Sequence, residues 1–247
     1  MRRDGFTLIE LIITMVLVGI VAFLGVDLLS KVMEGYVDTR VKTLLFNEAQ
    51  YGADRIAIEI RNAVPNTLLV LNNGVKSASG EGNGVEFAGF STAGYYYPLQ
   101  NSDNITCSDL NVDGGDYLSI YNTKPSYFFE QQRVYKVNNI YHKDNNTICI
   151  LNKHILRDSP HNRVYNIGNV MLFYFKDGKI YRKQMDIDSI DYDFKDGEVM
   201  MNYVKNVKFK YTHGYTYREA VLEMDFVMSK GSVSLDYTKV VHIRNVP

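Results

Sequence analysis

The chain has 247 residues, of which 46% are hydrophobic, and its formal net charge at pH 7 is −1. This length allows one or two domains with a sizeable core, whereas the near-neutral charge argues against nucleic acid as a partner, because phosphate binding needs an excess of Lys and Arg. The chain contains 19 Tyr and 12 Phe but no Trp, which favours a β-rich globular part because Tyr and Phe suit strands.

The first predicted element is an apolar segment, residues 6–26, whose only charged side chain is Glu10. As a helix it would be about 31 Å long, enough to cross a bilayer core. It is too long for a secretory signal peptide and lacks a small-x-small cleavage site. A plain membrane anchor explains its length and the preceding Arg2 and Arg3, which stay on the cytoplasmic side. It does not explain a carboxylate inside the span, which costs roughly 2.5–3.5 kcal/mol at the bilayer centre and less near the interface.

The stretch Gly5-Phe6-Thr7-Leu8-Ile9-Glu10-Leu11 resembles the processing motif of the type IV prepilin family, which includes pilins and the pseudopilins of type II secretion. The resemblance implies that a membrane prepilin peptidase cuts between Gly5 and Phe6 and that the new Phe6 amine is N-methylated. It implies a single-pass protein of the bacterial inner membrane, with its globular part in the periplasm before entry into a pilus or pseudopilus. The implied partners are other pilins or minor pilins and an inner-membrane assembly platform.

The carboxylate of Glu10 gains a specific role from that cleavage. The new amine on Phe6 lies beside the positive end of a helix dipole, and both charges are costly in hydrocarbon unless they are paired. Glu10 lies one helical turn from Phe6, so pairing within one subunit is one interpretation. The family resemblance implies the other, which we favour: Glu10 pairs with the Phe6 amine of a neighbouring subunit and sets the axial register of a filament.

The helix is predicted to continue to about Ala63, because the first stop signal is Pro65. Charged residues return from Asp27 onward and mark the exit from lipid. Beyond them, small and apolar residues recur at spacings of three and four, which predicts a stripe that packs on a sheet. This stripe consists of Leu45, Ala49, Ala53, Ile56, Ile60 and Ala63. Four glycines weaken the helix by about 1 kcal/mol each relative to Ala, namely Gly19, Gly25, Gly35 and Gly52.

After Asn66 the hydrophobic pattern changes to period two, which predicts strands. Strands are predicted at residues 85–90, 116–121, 133–137, 147–151, 170–183 (a hairpin turning at Asp177-Gly178), 207–211, 222–228, 233–237 and 241–243. Asn- and Gly-rich loops are predicted at 72–84 and 95–116. One long helix followed by antiparallel strands is an α+β fold and fits the pilin architecture. The predicted segments are a leader (1–5), a transmembrane helix half (6–29), an amphipathic helix half (30–64) and a β-rich globular domain (66–247).

Residues 54–66, 115–122, 132–135 and 241–247 resemble one branch of the family, the minor pilins of the mannose-sensitive haemagglutinin system (MSHA-type, MshO-like). These are themselves similar to the J-type pseudopilins of type II secretion. The resemblance implies a subunit of a minor complex that primes or tips a filament. A helix terminus alone also explains the stretch from Asn62 to Asn66.

The two cysteines, Cys107 and Cys149, would face the periplasm, where disulfides persist. A bridge between them would close a loop of roughly 43 residues and could stabilise the fold by up to about 4 kcal/mol. We expect this bridge, with two buried free thiols as the alternative, because nothing in the sequence brings the two Cα atoms within bridging distance.

The stretch from Asp109 through Asn111 and Asp113 to Gly114 matches the start of an EF-hand calcium loop. The twelfth position is Ile120, where a bidentate Glu is required, so we predict a polar turn and no metal. A calcium site of another type at Asp109, Asn111 and Asp113 is the alternative. The acidic stretch 186–196 is likewise predicted to be a polar loop.

The remaining motifs argue against catalysis and leave three functions open. The five histidines show no ligand spacing, and the sequence has no nucleophile elbow, P-loop or dinucleotide fingerprint. We therefore predict that the chain is not an enzyme and needs no cofactor. The leading function is a minor pilin that initiates or caps a filament. The alternatives are a type II secretion pseudopilin and a pilus-tip adhesin that uses Tyr95-Tyr96-Tyr97 as its contact surface, although ordinary packing also explains those tyrosines.

Overall fold

The computed structural model describes residues 7–99, 103–107, 109–143, 146–214 and 219–243. A long helix, α1 (Leu8–Arg61), precedes an antiparallel β-sheet region that includes a short helix, α2 (Pro125–Phe129), and a 3-10 turn at Ile187–Ser189. The predicted α+β fold is confirmed. The strands are β1 (Leu69–Asn72), β2 (Val75–Lys76), β3 (Glu81–Gly82), β4 (Gly84–Tyr95), β5 (Tyr97–Pro98), β6 (Asn104–Thr106), β7 (Tyr117–Ile120), β8 (Val134–Lys143), β9 (Asn146–Leu151), β10 (Arg163–Lys176), β11 (Lys179–Met185), β12 (Glu198–Met201), β13 (Val204–Thr212), β14 (Ala220–Lys230) and β15 (Val233–Ile243).

Within the described residues the strands form two antiparallel sheets. The larger has the order β2-β1-β4-β10-β7-β8-β9-β6-β5, with β11 also paired to β10 and β12 to β11, and the smaller has the order β15-β14-β13-β3. The predicted hairpin is present as β10 and β11, and Asp177 (φ 48°) and Gly178 (φ 77°) form its turn. Two positive φ values suit a type I′ turn, which matches the twist of the flanking strands.

The C-terminal half of α1 packs against strands of both sheets, chiefly β15, β14, β12 and β4. All six residues of the predicted stripe are buried, with exposures of 0–6%. They join a core that contains Phe87 and Phe173 from the larger sheet and Phe209 and Phe226 from the smaller one. The helical periodicity therefore identified the packing face of α1 correctly.

Charged residues at the margins of this stripe also contact the sheets. Glu48 Oε1 accepts hydrogen bonds from the Asn202 backbone N (2.7 Å) and Nδ2 (3.1 Å). The Glu59 carboxylate pairs with Arg182 Nε at 3.0 Å, and Asp54 pairs with Lys239 Nζ at 2.7 Å. These contacts join acidic side chains of the second half of α1 to β11, to β15 and to the segment between β12 and β13.

The other two apolar clusters lie away from α1. One covers the opposite face of the larger sheet, and its buried members include Leu172, Tyr174, Phe128 of α2 and Ile187. The other lies among β5 to β9 and includes both cysteines. The predicted loops at 72–84 and 95–116 are wrong in part, because they contain the short strands β2, β3, β5 and β6. These strands form by pairing with distant partners, β3 with β13 and β6 with β9.

Candidate functional site at the N-terminal helix

The N-terminal half of α1 leaves its apolar side chains uncovered by the rest of the protein. From Leu8 to Met33 the large hydrophobic side chains are 48–78% exposed. One stretch of α1 is long and apolar enough to cross a membrane, and none of that stretch is buried within the protein. Because water is a poor solvent for such a surface, this half of the helix is consistent with membrane anchoring.

The start of α1 is closed by a capping box between Thr7 and Glu10. Thr7 Oγ1 accepts a hydrogen bond from the Glu10 backbone N at 3.3 Å. The Glu10 carboxylate accepts in return from the Thr7 backbone N (3.3 Å) and from Thr7 Oγ1 (3.1 Å). A capping box satisfies backbone donors that the first helical turn leaves unpaired. The carboxylate of Glu10 therefore folds back toward the helix start, and Gly5 and Phe6 lie outside the described residues.

The four helix glycines differ in what surrounds them. A Cβ added at Gly19, Gly25 or Gly35 would meet nothing within 4 Å, whereas one at Gly52 would lie 2.2 Å from Met201 Cε. The helix continues through all four positions. Among these four, Gly52 is the position where a side chain would meet a strand closely, because Met201 of β12 lies against it.

Cys107 and Cys149 are joined by a disulfide in the structure, with the sulfur atoms 2.03 Å and the Cα atoms 6.1 Å apart. Cys149 lies on β9, and the Cys107 backbone N donates to the Thr147 carbonyl of the same strand at 2.8 Å. Both residues are buried. The pairing of β6 with β9 brings the two cysteines together across a sequence separation of 42 residues.

The calcium candidate forms an extended loop in which exposed and buried residues alternate. Asp109, Asn111 and Asp113 are exposed, while Leu110 and Val112 are buried in the cluster among β5 to β9. Within the described residues, no three His, Cys, Asp or Glu side chains gather as a metal site. The EF-hand motif takes no account of the apolar residues of this loop. These residues attach the loop to the core.

The tyrosine triplet does not form one surface. Tyr96 is fully buried, its hydroxyl donates to Asp158 Oδ1 (2.9 Å) and accepts from the Ser159 backbone N (3.0 Å), and burial raises the pKa of Tyr96. Tyr95 and Tyr97 are 50% and 61% exposed because strand alternation turns them outward. The hypothesis of a three-tyrosine contact surface is therefore wrong for Tyr96.

Glu86 is a buried acid that sequence reasoning missed. It lies on β4 opposite Leu69 and Leu172, is 0% exposed, and neither carboxyl oxygen has a hydrogen-bond partner among the described residues. Burial, the largest cause, raises the pKa of Glu86 to about 8. The charged groups that act on it are Lys76, Asp191 and Lys183, and the last two pair with each other at 2.6 Å. The available signal was a charge inside the apolar run from Val85 to Ala88.

Residues 1–26 match the family model of the prokaryotic N-terminal methylation motif. No curated protein and no solved structure matches the chain. The matched residues include Gly5, Phe6, Thr7 and Glu10. The match supports a type IV pilin-like protein, and it implies processing by a prepilin peptidase and assembly with other pilins in general.

Proposed function

We propose that this chain is a minor type IV pilin of the MSHA type, similar to MshO, that takes part in pilus initiation or tip formation. In this proposal residues 1–5 are the leader, 6–29 cross the inner membrane once, 30–64 form the amphipathic half of the helix and 66–247 form the periplasmic domain. The protein acts by assembly and is not an enzyme. Its proposed partners are the prepilin peptidase, other pilins and the assembly platform.

The observation that carries the proposal is the exposed carboxylate of Glu10 at the start of an uncovered apolar helix. The hydrogen bonds to the Glu10 carboxylate come from Thr7, the N-cap residue three positions earlier. In lipid, where an unpaired charge is costly, the methylated Phe6 amine of an adjacent subunit offers this carboxylate an opposite charge. Exchange of the local cap for that pair would fix the axial position of one subunit on the next.

A periplasmic location is supported by charge placement and by the disulfide. The first charged side chains after Glu10 are Asp27 and Lys31, which pair at 2.8 Å one helical turn apart, as expected where the helix leaves lipid. Arg2 and Arg3 precede the apolar segment and favour a cytoplasmic N-terminus. A disulfide among β5 to β9 also suits an oxidising compartment.

Mass spectrometry of the protein from membranes tests the processing step. We expect a chain that begins at N-methylated Phe6, and we expect Gly5→Leu to retain all five leader residues. Gly19→Leu is the matched control, since a side chain there meets nothing within 4 Å, and it should be processed normally. A wild-type chain that still carries residues 1–5 in cells with an active prepilin peptidase would contradict the proposal.

Gene deletion separates the minor pilin from its two alternatives. Loss of filaments that is restored by the wild-type gene and not by Glu10→Gln supports the assembly role. Loss of protein secretion with intact pili would instead identify a J-type pseudopilin. Intact pili that no longer adhere would identify a tip adhesin. If Glu10→Gln subunits bind their neighbours as well as the wild type does, the role of Glu10 in register is wrong.

A further inference from the structure

The segment between β7 and β8, together with Arg157 after β9, forms a cluster of cations and tyrosines. The Arg133 guanidinium carbon lies 6.0 Å from the Tyr121 ring centroid and 5.4 Å from that of Tyr127. Arg157 lies 5.2 Å from the Tyr121 ring, and Lys124 Nζ lies 4.2 Å from the Tyr127 ring. We call these five residues the Arg–Tyr cluster. Each of its two rings is contacted by two cations.

The three cations of the Arg–Tyr cluster have no acidic partner within the part of the chain that the structure describes. Elsewhere, cations on the sheets do have partners, for example Lys208 with Glu81 at 2.6 Å. Among the described residues, Arg133 Nη1 donates to the Arg157 carbonyl, at 3.3 Å. Asp158, the next residue after Arg157, accepts from the buried Tyr96 instead. Most guanidinium donors of the cluster are therefore available to a ligand.

The backbone holds Tyr121 in a conformation that a bulky residue rarely adopts. Its φ is +50°, in the left-handed region, where a large side chain is strained. The next residue, Asn122, fixes this turn, since its Nδ2 donates to the Pro65 carbonyl (3.0 Å) and its carbonyl accepts from Asn66 Nδ2 (2.9 Å). Strain of this kind persists where the surrounding structure imposes it, and the Tyr121 ring contacts both arginines from this turn.

The same contacts place the Arg–Tyr cluster at the C-terminal end of α1. Pro65 and Asn66 follow directly after the helix, which spans 54 residues and is therefore about 80 Å long. The apolar half lies at the other end of this helix. A membrane surface that surrounds residues 8–26 is consequently too distant to be the ligand, and the cluster points to a partner found away from the membrane.

We propose that the Arg–Tyr cluster binds an acidic polysaccharide through the carboxylates of its sugar residues. A guanidinium presents paired N–H donors that match a carboxylate, and the tyrosine hydroxyls add further donors. A chain of uronic acids repeats one carboxylate per sugar and so meets several cations at once. This inference depends on the proposed function for one point only, that the surface is displayed outside the cell. The binding itself does not depend on the proposed function.

Two other classes of partner fit the cluster less well. Single-stranded nucleic acid needs free aromatic faces for base stacking and a basic groove, whereas both rings here are already contacted by cations and the chain has a net charge of −1. A protein partner needs an apolar centre to its interface. The exposed large hydrophobic residue next to the cluster in sequence is Leu156, which alone does not provide one.

Calorimetric titration of the full chain in detergent micelles with polygalacturonate fragments tests the proposal. Lys124 and Arg157 are exposed, so Lys124→Glu/Arg157→Glu reverses two charges without opening the core. We expect this variant to bind at least about tenfold more weakly, as for the loss of close charge pairs. The matched control, Lys143→Glu/Lys205→Glu, changes the net charge equally at two exposed lysines elsewhere and should bind like the wild type. Lys124→Gln/Arg157→Gln gives the same test if the charge-reversed variant melts early.

The outcomes separate this proposal from its rivals. Neutral dextran should not bind, and a single-stranded oligonucleotide of equal charge should bind more weakly than polygalacturonate. Absent binding of polygalacturonate, equal binding by both double variants, or tighter binding of the oligonucleotide would each overturn the proposal. Filaments should assemble normally with Lys124→Glu/Arg157→Glu. Loss of filaments in this variant would identify the cluster as a contact between subunits and would overturn the ligand assignment. Failure of the proposed minor-pilin role is a separate outcome, which the deletion strain shows without this variant.

Discussion

The two halves of α1 belong to one continuous helix but expose opposite kinds of surface. Phe23 in the first half is 75% exposed, whereas Ile56 in the second half is fully buried. The first half exposes apolar side chains on all sides, and the second half buries one stripe of small and apolar residues against the sheets. One helix geometry therefore occupies two different environments. The apolar side chains of the first half need surroundings that the rest of the protein does not provide.

Two carboxylates lie in apolar surroundings, one in the uncovered half of α1 and one in the globular part. Glu10 lies at the start of the uncovered half and is held by Thr7. Glu86 lies in the globular part and has no hydrogen-bond partner among the described residues. A carboxylate at a helix start can exchange its cap for another partner, whereas a carboxylate enclosed by packed strands can only change its protonation.

The largest effect is expected from the titration of Glu86. The folded pKa of about 8 lies above the ordinary value of 4.5, so the folded state retains a proton that the unfolded state loses. This contribution to stability is complete below pH 4.5 and is lost as the pH rises to 8. The gap corresponds to on the order of 5 kcal/mol. Urea unfolding of the full chain in micelles should show Glu86→Gln gaining stability over the wild type at pH 8 and not at pH 4.5.

The control for Glu86 is Glu198→Gln, which changes an exposed carboxyl on β12. It should leave the difference in unfolding free energy between the two pH values unchanged. If the wild type keeps the same stability at both pH values, Glu86 is not buried as a neutral acid. The difference drawn between Glu86 and Glu10 would then be wrong.

The next largest effect compares two isoleucines of α1. Ile56→Ala removes buried methyl groups and leaves a cavity, which should lower the free energy of unfolding by about 2–5 kcal/mol. Ile20→Ala changes a side chain that is 53% exposed and should lower it by less than about 0.5 kcal/mol. Urea unfolding followed by near-UV circular dichroism measures both. Equal losses would show that the two halves do not differ in their dependence on the sheets.

The disulfide lies in a cluster of buried residues that contains no residue of α1, so it tests the globular part separately from the helix. Loss of the Cys107–Cys149 bond should destabilise the globular part by about 2–4 kcal/mol, because the unfolded chain regains loop freedom. Melting of the wild type with and without reductant, compared with Cys107→Ser/Cys149→Ser, measures this effect. Alkylation of both cysteines in the non-reduced protein would contradict the bond.

The smallest effect concerns two glycines on α1. A side chain at Gly52 would collide with Met201, so Gly52→Leu should cost about 1–3 kcal/mol through overpacking. Gly25→Leu meets open space and should leave the unfolding free energy of the globular part unchanged. Thermal melts of the two variants provide the measurement. A stable Gly52→Leu protein would mean that the helix can move away from β12 at little cost.

Local periodicity predicted a large part of this fold. The stripe on α1, the helix end near Pro65, the hairpin at Asp177-Gly178 and the strand predicted at 222–228 are confirmed. Each depends on residues close together in sequence, where the spacing of side chains on a helix or strand is fixed by backbone geometry. The methylation motif was equally readable because its residues are contiguous.

The features that the sequence did not reveal depend on which distant segments meet. β10 pairs with β4 along one edge and with β7 along part of the other, and no local pattern specifies these two pairings. That arrangement encloses Glu86. Tyr96 is buried because a loop 62 residues later supplies Asp158, and the Arg–Tyr cluster forms because Arg157 returns to Tyr121.

The sequence by itself therefore determined a long helix with two characters, its processing motif and the β-rich nature of the globular part. Tertiary structure alone decided which polar residues are buried, which cations gather without an acidic partner among the described residues, and which helix glycine lies against Met201. The physical reason is range: helix and strand periodicities are set by neighbouring residues, whereas burial and electrostatic environment are set by contacts between segments that are remote in the chain.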